Sequence, residues 1–584
     1  MAVSHSPENA SVAAIAHQFA GGAFMAAGGS MSFIGLKEQT VHGAKSIADA
    51  RARHQWHIPA EYNVAVDCID RHTELKDKLA LYYEDDEGRE EKYTFGQIAA
   101  LSRRFANALV GLGVKRGDVV AIHLPQRPET AIAHLAIYRI GAIALPISKL
   151  FGSDALLYRL TNSSARVIMA EPESVGKIEP IRDQLPHLKH LIVAGGKIGG
   201  LSFDELIAKA SDDFSTVRTA AEDPILLMYT SGTTGDPKGV LHASRYVLGH
   251  NGIDYSYNFL RQGDLYYSPA DWAWAGGLLD GLLAIWPYGV PVLAYRSKER
   301  FDPNVMLRLV SKYGATIGLY PPTVLKGLRE VKNPREKYPE LRLRCVVSGA
   351  EPVSPELARW VDEQLRVEFN QAFGQTEANY FIGNCSALEK PRLEPLGKAY
   401  PGHDVTIVVD GQPVKTGTTG EIAIRRDSPV VMKEYWKNPA AMSEKFAGEW
   451  CLTGDTGSMD PDGYVYFYGR GDDVIKTSGY RVGPAEVEAK IIEHAAVASC
   501  AVIGVPDDRR GQAIKAFVKL LPGHQPSDKM VAEIQLHVKT RLAAHEYPRE
   551  FEFIDEFPMT VTGKIRRRDL RDREIEKLKA TGKR

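Results

Sequence analysis

Residues Tyr229 to Val240 read YTSGTTGDPKGV and follow the apolar run PILLM. This composition suits an oligophosphate. Gly232, Gly235 and Gly239 let backbone N–H groups approach phosphate oxygens without a Cβ in the way, Thr230, Ser231, Thr233 and Thr234 offer hydroxyls, and Lys238 supplies positive charge. The P-loop pattern is excluded, because Lys238 stands three positions beyond Gly235 and precedes Gly239 instead of Ser or Thr. Taken alone, the stretch also fits a plain Gly/Ser turn between a strand and a helix.

Further segments gain their meaning from occurring together. SGAEP at Ser348–Pro352 offers Gly349, Ala350, Glu351 and Pro352, small or short residues against which a flat ring can lie. FNQAFGQTEAN places Phe373, Thr376 and Glu377 at a predicted strand end. There an aromatic can stack on a base, a hydroxyl can hold phosphate, and a carboxylate can share Mg²⁺ with a triphosphate. An ordinary loop with a Thr-Glu cap is the alternative. Asp455, between glycines in EWCLTGDTG, can accept hydrogen bonds from both hydroxyls of a ribose, or be a turn aspartate. GRGDDVIKTSGYRVGPAEVE gathers Arg470, Asp472, Lys476, Gly479 and Arg481, where cations can reach phosphate and glycine suits a hinge. PMTVTGKIRRRDL puts Lys564 in a Thr-Gly-Lys turn, and in isolation that is a surface lysine.

These residues need a scaffold. The 584-residue chain exceeds what one core supports, so at least two domains are expected. A formal net charge of -1 gives no sign of a nucleic-acid partner, and five scattered cysteines without a CxxC pair fit reduced thiols in a cytoplasmic setting. The Ala/Gly-rich stretch Ser11–Leu36 has no Lys or Arg before Lys37, and His17, Gln18 and glycines interrupt it. That argues against a signal peptide or membrane span, and residues 1–60 read as an extension, loosely packed or docked through a short helix. Thr94 and Gln97 form a capping box ahead of Ile98, Leu101, Phe105, Leu109 and Leu112, an amphipathic helix. The runs VVAIHLP, AIALPI, ARVIMA and HLIVA alternate with helical stretches, which predicts an α/β fold of parallel βαβ units with helices on both faces. Ligands bind at strand C-terminal ends in such sheets, where the loop after PILLM would sit. After Gly402 the texture changes to antiparallel hairpins, a smaller β lobe, and beyond Arg470 to a compact α+β unit with strands ASCAVIGV, AIKAFVKLL and FEFID. The last twenty residues read as a solvated helix.

From about Glu61 to Leu570 the chain resembles the adenylate-forming superfamily of acyl-CoA synthetases, adenylation domains and luciferases, with its motifs in family order. YTSGTTGDPKGV matches the phosphate loop, SGAEP and FGQTE the adenine and magnesium segments, TGDTG the ribose aspartate, GRGDDVIKTSGYRV the hinge and PMTVTGKIRR the C-terminal lysine motif. The resemblance implies a large AMP-binding domain over 61–469 and a small mobile C-terminal domain over 470–584, hinged at Asp472. It also implies a reaction: carboxylate, ATP and CoA give acyl-CoA, AMP and pyrophosphate through an acyl-adenylate, with Mg²⁺ assisting. Lys564 would join carboxylate to α-phosphate with Thr376, Glu377 and Arg470, Arg470 and Arg481 would meet the nucleotide, Glu377 would hold the metal, and Gly479 would line the CoA channel. No general base is needed, since a carboxylate is already ionised at neutral pH.

For the acyl pocket, acetyl-specific relatives carry a tryptophan where Gly374 stands here. With Ala275 and Gly276 after Trp274, and Gly349, the small residues predict a cavity deeper than acetate needs. The FGQTE and HEYPREFEF segments look most like the medium-chain branch, so a medium-chain, branched or aromatic acid is expected. A short-chain acid, or an acyl-AMP ligase loading a carrier protein, is the alternative. Nothing resembling a carrier domain follows Lys564, which favours free CoA. A homo-oligomer stays open.

Overall fold

The computed structural model describes residues 34–580 apart from 231–236, 299–300, 352, 472, 474, 478–479, 508–509, 543–546 and 561–563. Two large sheets carry the main body. One has nine strands in the described residues, with Tyr266–Tyr267, Val292–Arg296, Ile317–Leu319, Cys345–Gly349 and Glu368–Gln375 running parallel and Ala378–Gly383 returning antiparallel. The other has eight, built on the parallel strands Val119–His123, Ile143–Pro146, Val167–Ala170 and His190–Val193.

Alternate residues of these strands face different cores. Val120 and Ile122 join Leu319, Val347 and Ala372 in one core between the sheets, while Val119 and Ala121 pack outward on Leu156 and Leu160. Between the sheets runs Pro128–Ile140, a helix with proline in its first turn, Gly141 as left-handed C-cap (φ 73°) and every residue buried. Its buried Arg139 is held by a two-pronged pair with Asp70 at 2.6 and 2.8 Å.

The expected capping box forms at the helix Phe95–Gly111. The Thr94 hydroxyl accepts from Gln97 N–H at 3.2 Å, and the Gln97 side chain accepts from Thr94 N–H at 2.8 Å. An antiparallel sheet holds Val405–Val409, Gly420–Arg425, Trp450–Met459 and Val465–Arg470. The C-terminal unit packs Pro484–Ile492 and Asp528–Lys539 on the hairpin of Val497–Asp507 and Gly511–Leu520, and ends in the helix Arg567–Ala580.

At two places the structure decides between the readings the sequence left open. The glycine-rich loop does not lead from strand to helix. Pro224–Thr230 pairs antiparallel with Lys238–Ala243, Tyr229 beside Gly239 and Thr230 beside Lys238, so a strand and not a helix follows the loop. Gly239 consequently serves packing: a Cβ there would stand 3.1 Å from both Leu227 and Trp436. The described part of the extension is also packed. The helix Ile47–Arg53 buries Ile47 and Ala50, and the Trp56 indole donates to Gly402 O at 2.7 Å.

Candidate active site

Ser231, Gly232, Thr233, Thr234 and Gly235 lie outside the described residues, as does Pro352. Lys238 starts the return strand, with its ammonium 5.4 Å from the centre of the Tyr435 ring. The Tyr435 hydroxyl donates to Glu377 Oε1 at 2.7 Å. Thr376 and Glu377 occupy the turn before Ala378–Gly383; Thr376 O accepts from Tyr246 Oη at 3.0 Å, and Glu377 O from Met432 N–H at 2.8 Å. Lys238 and the Glu377 carboxylate thus share one tyrosine, which sequence reasoning missed. Its one legible signal was an aromatic just ahead of the proline-started helix Pro439–Lys445. Tyr435→Phe is expected to lower kcat/KM for ATP about tenfold through the freed Glu377 carboxylate, with the thermal melt unchanged; steady-state kinetics with varied ATP check it.

Glu377 also bears on the metal. Among the described residues no group of three or more His, Cys, Asp or Glu side chains could hold an ion. Magnesium keeps several waters and is commonly bound by one or two carboxylates plus substrate phosphates, so a single carboxylate beside a phosphate loop fits it.

Strand pairing brings together the residues expected to meet a nucleotide. Cys345–Gly349 lies parallel to Glu368–Gln375, with Gly349 beside Ala372, and the chain leaves it through Ala350 in the left-handed region (φ 68°). Phe373 stands edge-on to Phe381 at 5.5 Å and 6.3 Å from Phe467 of the antiparallel lobe. Asp455 and Arg470 pair across neighbouring strands, with Arg470 Nη1 3.1 Å from Asp455 Oδ1. Burial pushes the Asp455 carboxyl up to about 6, against the pull of Arg470.

Lys564 comes to the same place from the C-terminal unit. Its turn is closed by Thr560, whose N–H donates to Lys564 O at 2.7 Å and whose hydroxyl accepts from Lys564 N–H at 3.0 Å. Lys564 is exposed to solvent, with nearby protein desolvating its ammonium in part. That partial desolvation lowers its pKa from the usual lysine value, Glu351 and Asp455 opposing and Arg470 reinforcing the shift. Glu351 is in turn raised by burial and drawn down by Lys564, Lys326 and Arg567. Lys564 is therefore within electrostatic reach of Glu351, Asp455 and Arg470. Asp472 and Gly479 lie outside the described residues, and Arg481 is placed only as the strand partner of Lys476.

The expected acyl pocket needs correction. A Cβ on Gly374 would come within 2.2 Å of Tyr380 N, and one on Gly349 within 2.2 Å of Ala372 O. Both are glycine because another backbone passes close, and neither opens a cavity. Gly276 differs: its added Cβ would meet no backbone, only the side chains of Leu319 at 3.4 Å and Asp280 at 3.6 Å, in ordinary contact. Trp274 caps the short helix Ala275–Leu278, edge-on to Phe151 at 6.1 Å. Asp280, Asn379 and His250, absent from the sequence reading, lie behind Gly276; the signal was an acidic residue inside the apolar run GGLLDGLLAIW.

A family model described as AMP-binding enzyme matches residues 70–436, and one described as AMP-binding enzyme C-terminal domain matches 486–564. The chain belongs to the AMP-binding enzyme family. Its reaction class is that of AMP-forming acid–thiol ligases, which draw on ATP and CoA. Among AMP-binding enzymes it is 38% identical to the acetyl-coenzyme A synthetase of Bacillus subtilis (strain 168), over 90% of this chain and 93% of that protein. It is 35% identical to the mitochondrial acyl-coenzyme A synthetase ACSM4 of Rattus norvegicus, over 88% and 91%. The solved anthranilate CoA ligase AuaEII, in complex with anthranoyl-AMP, superposes with a TM-score of 0.82 at 32% identity, over 90% of this chain and 99% of that one. No helix in the described residues is long and apolar enough to cross a membrane.

Proposed function

We propose that this AMP-binding enzyme makes the CoA thioester of a medium-chain, branched or aromatic carboxylic acid. The observation that carries the substrate class is that no backbone crowds Gly276, next to Trp274 and Ala275: only the Leu319 and Asp280 side chains face it, at ordinary contact distance. Each further methylene buried there favours binding by up to about 0.8 kcal/mol, which selects against acetate.

In the first half-reaction a substrate carboxylate oxygen attacks the α-phosphorus of ATP, and the bond to pyrophosphate breaks. Two anions must meet, so charge neutralisation decides the rate. Lys564 stands where it can bridge them, Arg470 is beside it, Asp455 receives the ribose hydroxyls and Phe373 offers a face to the adenine. The glycine-rich loop with Lys238 cradles the departing phosphates. A magnesium ion held by Glu377 would spread phosphate charge. In the second half-reaction the CoA thiol attacks the acyl carbon, AMP leaves and the thiol proton passes to solvent. A turn of the small domain at Asp472 would withdraw Lys564 and bring up Gly479.

Purified protein given ATP, Mg²⁺, CoA and acids from acetate to long-chain and benzoate types, read by mass spectrometry, is expected to yield acyl-CoA with the medium-chain or aromatic members. Accumulation of acyl-AMP without acyl-CoA would favour carrier loading and overturn the assignment. Acetate as the best acid would overturn the substrate class.

A further inference from the structure

Asp280 follows Gly276 by four residues, where the helix Ala275–Leu278 widens into a π-helical turn over Leu279–Leu283. Such turns re-aim a side chain, and here the carboxyl lies on the side to which a side chain at position 276 would point. A Cβ on Gly276 would stand 3.6 Å from Asp280 Oδ2.

The other carboxyl oxygen is fully engaged. Asn379 Nδ2 donates to Asp280 Oδ1 at 2.7 Å and lies 3.1 Å from His250 Nε2. His250 Nδ1 is 2.7 Å from Tyr246 O, an acceptor, so Nδ1 carries the proton and Nε2 receives the second Asn379 hydrogen. Burial holds the imidazole at a pKa of about 4, hence neutral. The amide of Asn379 is spent on these two partners. Asp280 Oδ2 is left without a hydrogen-bond partner among the described residues, on a side chain only 5% exposed. Burial pushes the carboxyl well up, opposed only by the Asn379 amide; no lysine or arginine offsets it.

A carboxyl placed so is a poor packing residue. Leucine would fill the site without a stranded polar atom, so the carboxyl makes sense if something else completes it. Building on the acyl-pocket reading above, we propose that Asp280 selects acids bearing a hydroxyl or amino group at the end remote from the reacting carboxylate. A hydroxyl can donate to Oδ2 or accept from its proton, and an amino group can donate to it. A plain alkyl or phenyl end would instead bury Oδ2 with nothing to bond, and sites built to hydrogen-bond a substrate reject the analogue lacking that group.

The test compares kcat/KM, from AMP release with CoA present, for matched acids: benzoate against its 3- and 4-hydroxy and 3- and 4-amino derivatives, and hexanoate against 6-hydroxyhexanoate. The parent enzyme is expected to favour a substituted member by about tenfold or more. Asp280→Leu should lower kcat/KM for that member by a similar factor and leave the unsubstituted acid equal or better. Gly276→Ala meets only ordinary contacts, so it folds; it covers Oδ2 and should shift the preference the same way, deciding the matter if Asp280→Leu does not fold. Equal losses on both members, or a parent preference for the unsubstituted acid in every pair, would overturn the proposal while leaving the ligase reading intact. Turnover of no acid in either set would overturn both.

Discussion

Lys564→Ala is expected to slow acyl-adenylate formation about a hundred- to a thousandfold, the loss typical of removing one group that meets developing charge. Thioester formation from supplied acyl-AMP and CoA should stay within about threefold of the parent. The difference follows from where the charge problem lies. Attack of a carboxylate on an α-phosphate brings two anions together, and Lys564 is the cation within electrostatic reach of Glu351, Asp455 and Arg470. Desolvation lowers the pKa of its ammonium, and Glu351 and Asp455 oppose that shift. Thiol attack on a neutral acyl carbon has no such requirement. Pyrophosphate release measures the first step, and mass spectrometry of acyl-CoA from synthetic acyl-AMP measures the second. Equal loss in both would show that the turn at Thr560 is a structural prop and that no exchange of conformations separates the steps.

Much of the scaffold was legible because it depends on local pattern. The capping box at Thr94 and the buried runs at Val119, Ile143, Val167 and His190 are decided within a few residues. The antiparallel pairing across the glycine-rich loop was not legible, since Lys238–Ala243 is buried nearly throughout and reads like any parallel strand. Glycine misled for a related reason. A sequence does not tell whether a missing side chain faces only other side chains, as at Gly276, or lets another backbone through, as at Gly374 and Gly349. The site residues that went unread depend on distant contacts. Tyr435 meets Glu377 from 58 residues away and Asp280 meets Asn379 from 99, and no spacing rule reaches that far.

Asp455→Asn is expected to reduce kcat/KM for ATP about ten- to a hundredfold at pH 8, the range for losing hydrogen bonds to a charged acceptor. A carboxylate can accept from both ribose hydroxyls; an amide oxygen accepts while its nitrogen cannot. The parent should therefore discriminate between ATP and 2′,3′-dideoxy-ATP, and the variant should nearly cease to. The pH profile gives an independent readout. With the carboxyl pushed up to about 6 by burial, Asp455 is neutral below that pH, and kcat/KM, which reports the free enzyme, should fall about tenfold per unit there. The variant, neutral throughout, should lack that limb. Stability should move the opposite way. The folded state holds this proton more tightly than the unfolded chain, whose aspartates titrate near 3.9. The parent therefore loses stability as pH rises from about 4 to about 6, and above that window the variant should be the more stable, by up to about 3 kcal/mol. A residue that weakens the fold and strengthens nucleotide use is placed for binding. Unchanged ATP kinetics, or an acid limb that persists in Asp455→Asn, would remove Asp455 from the ribose site.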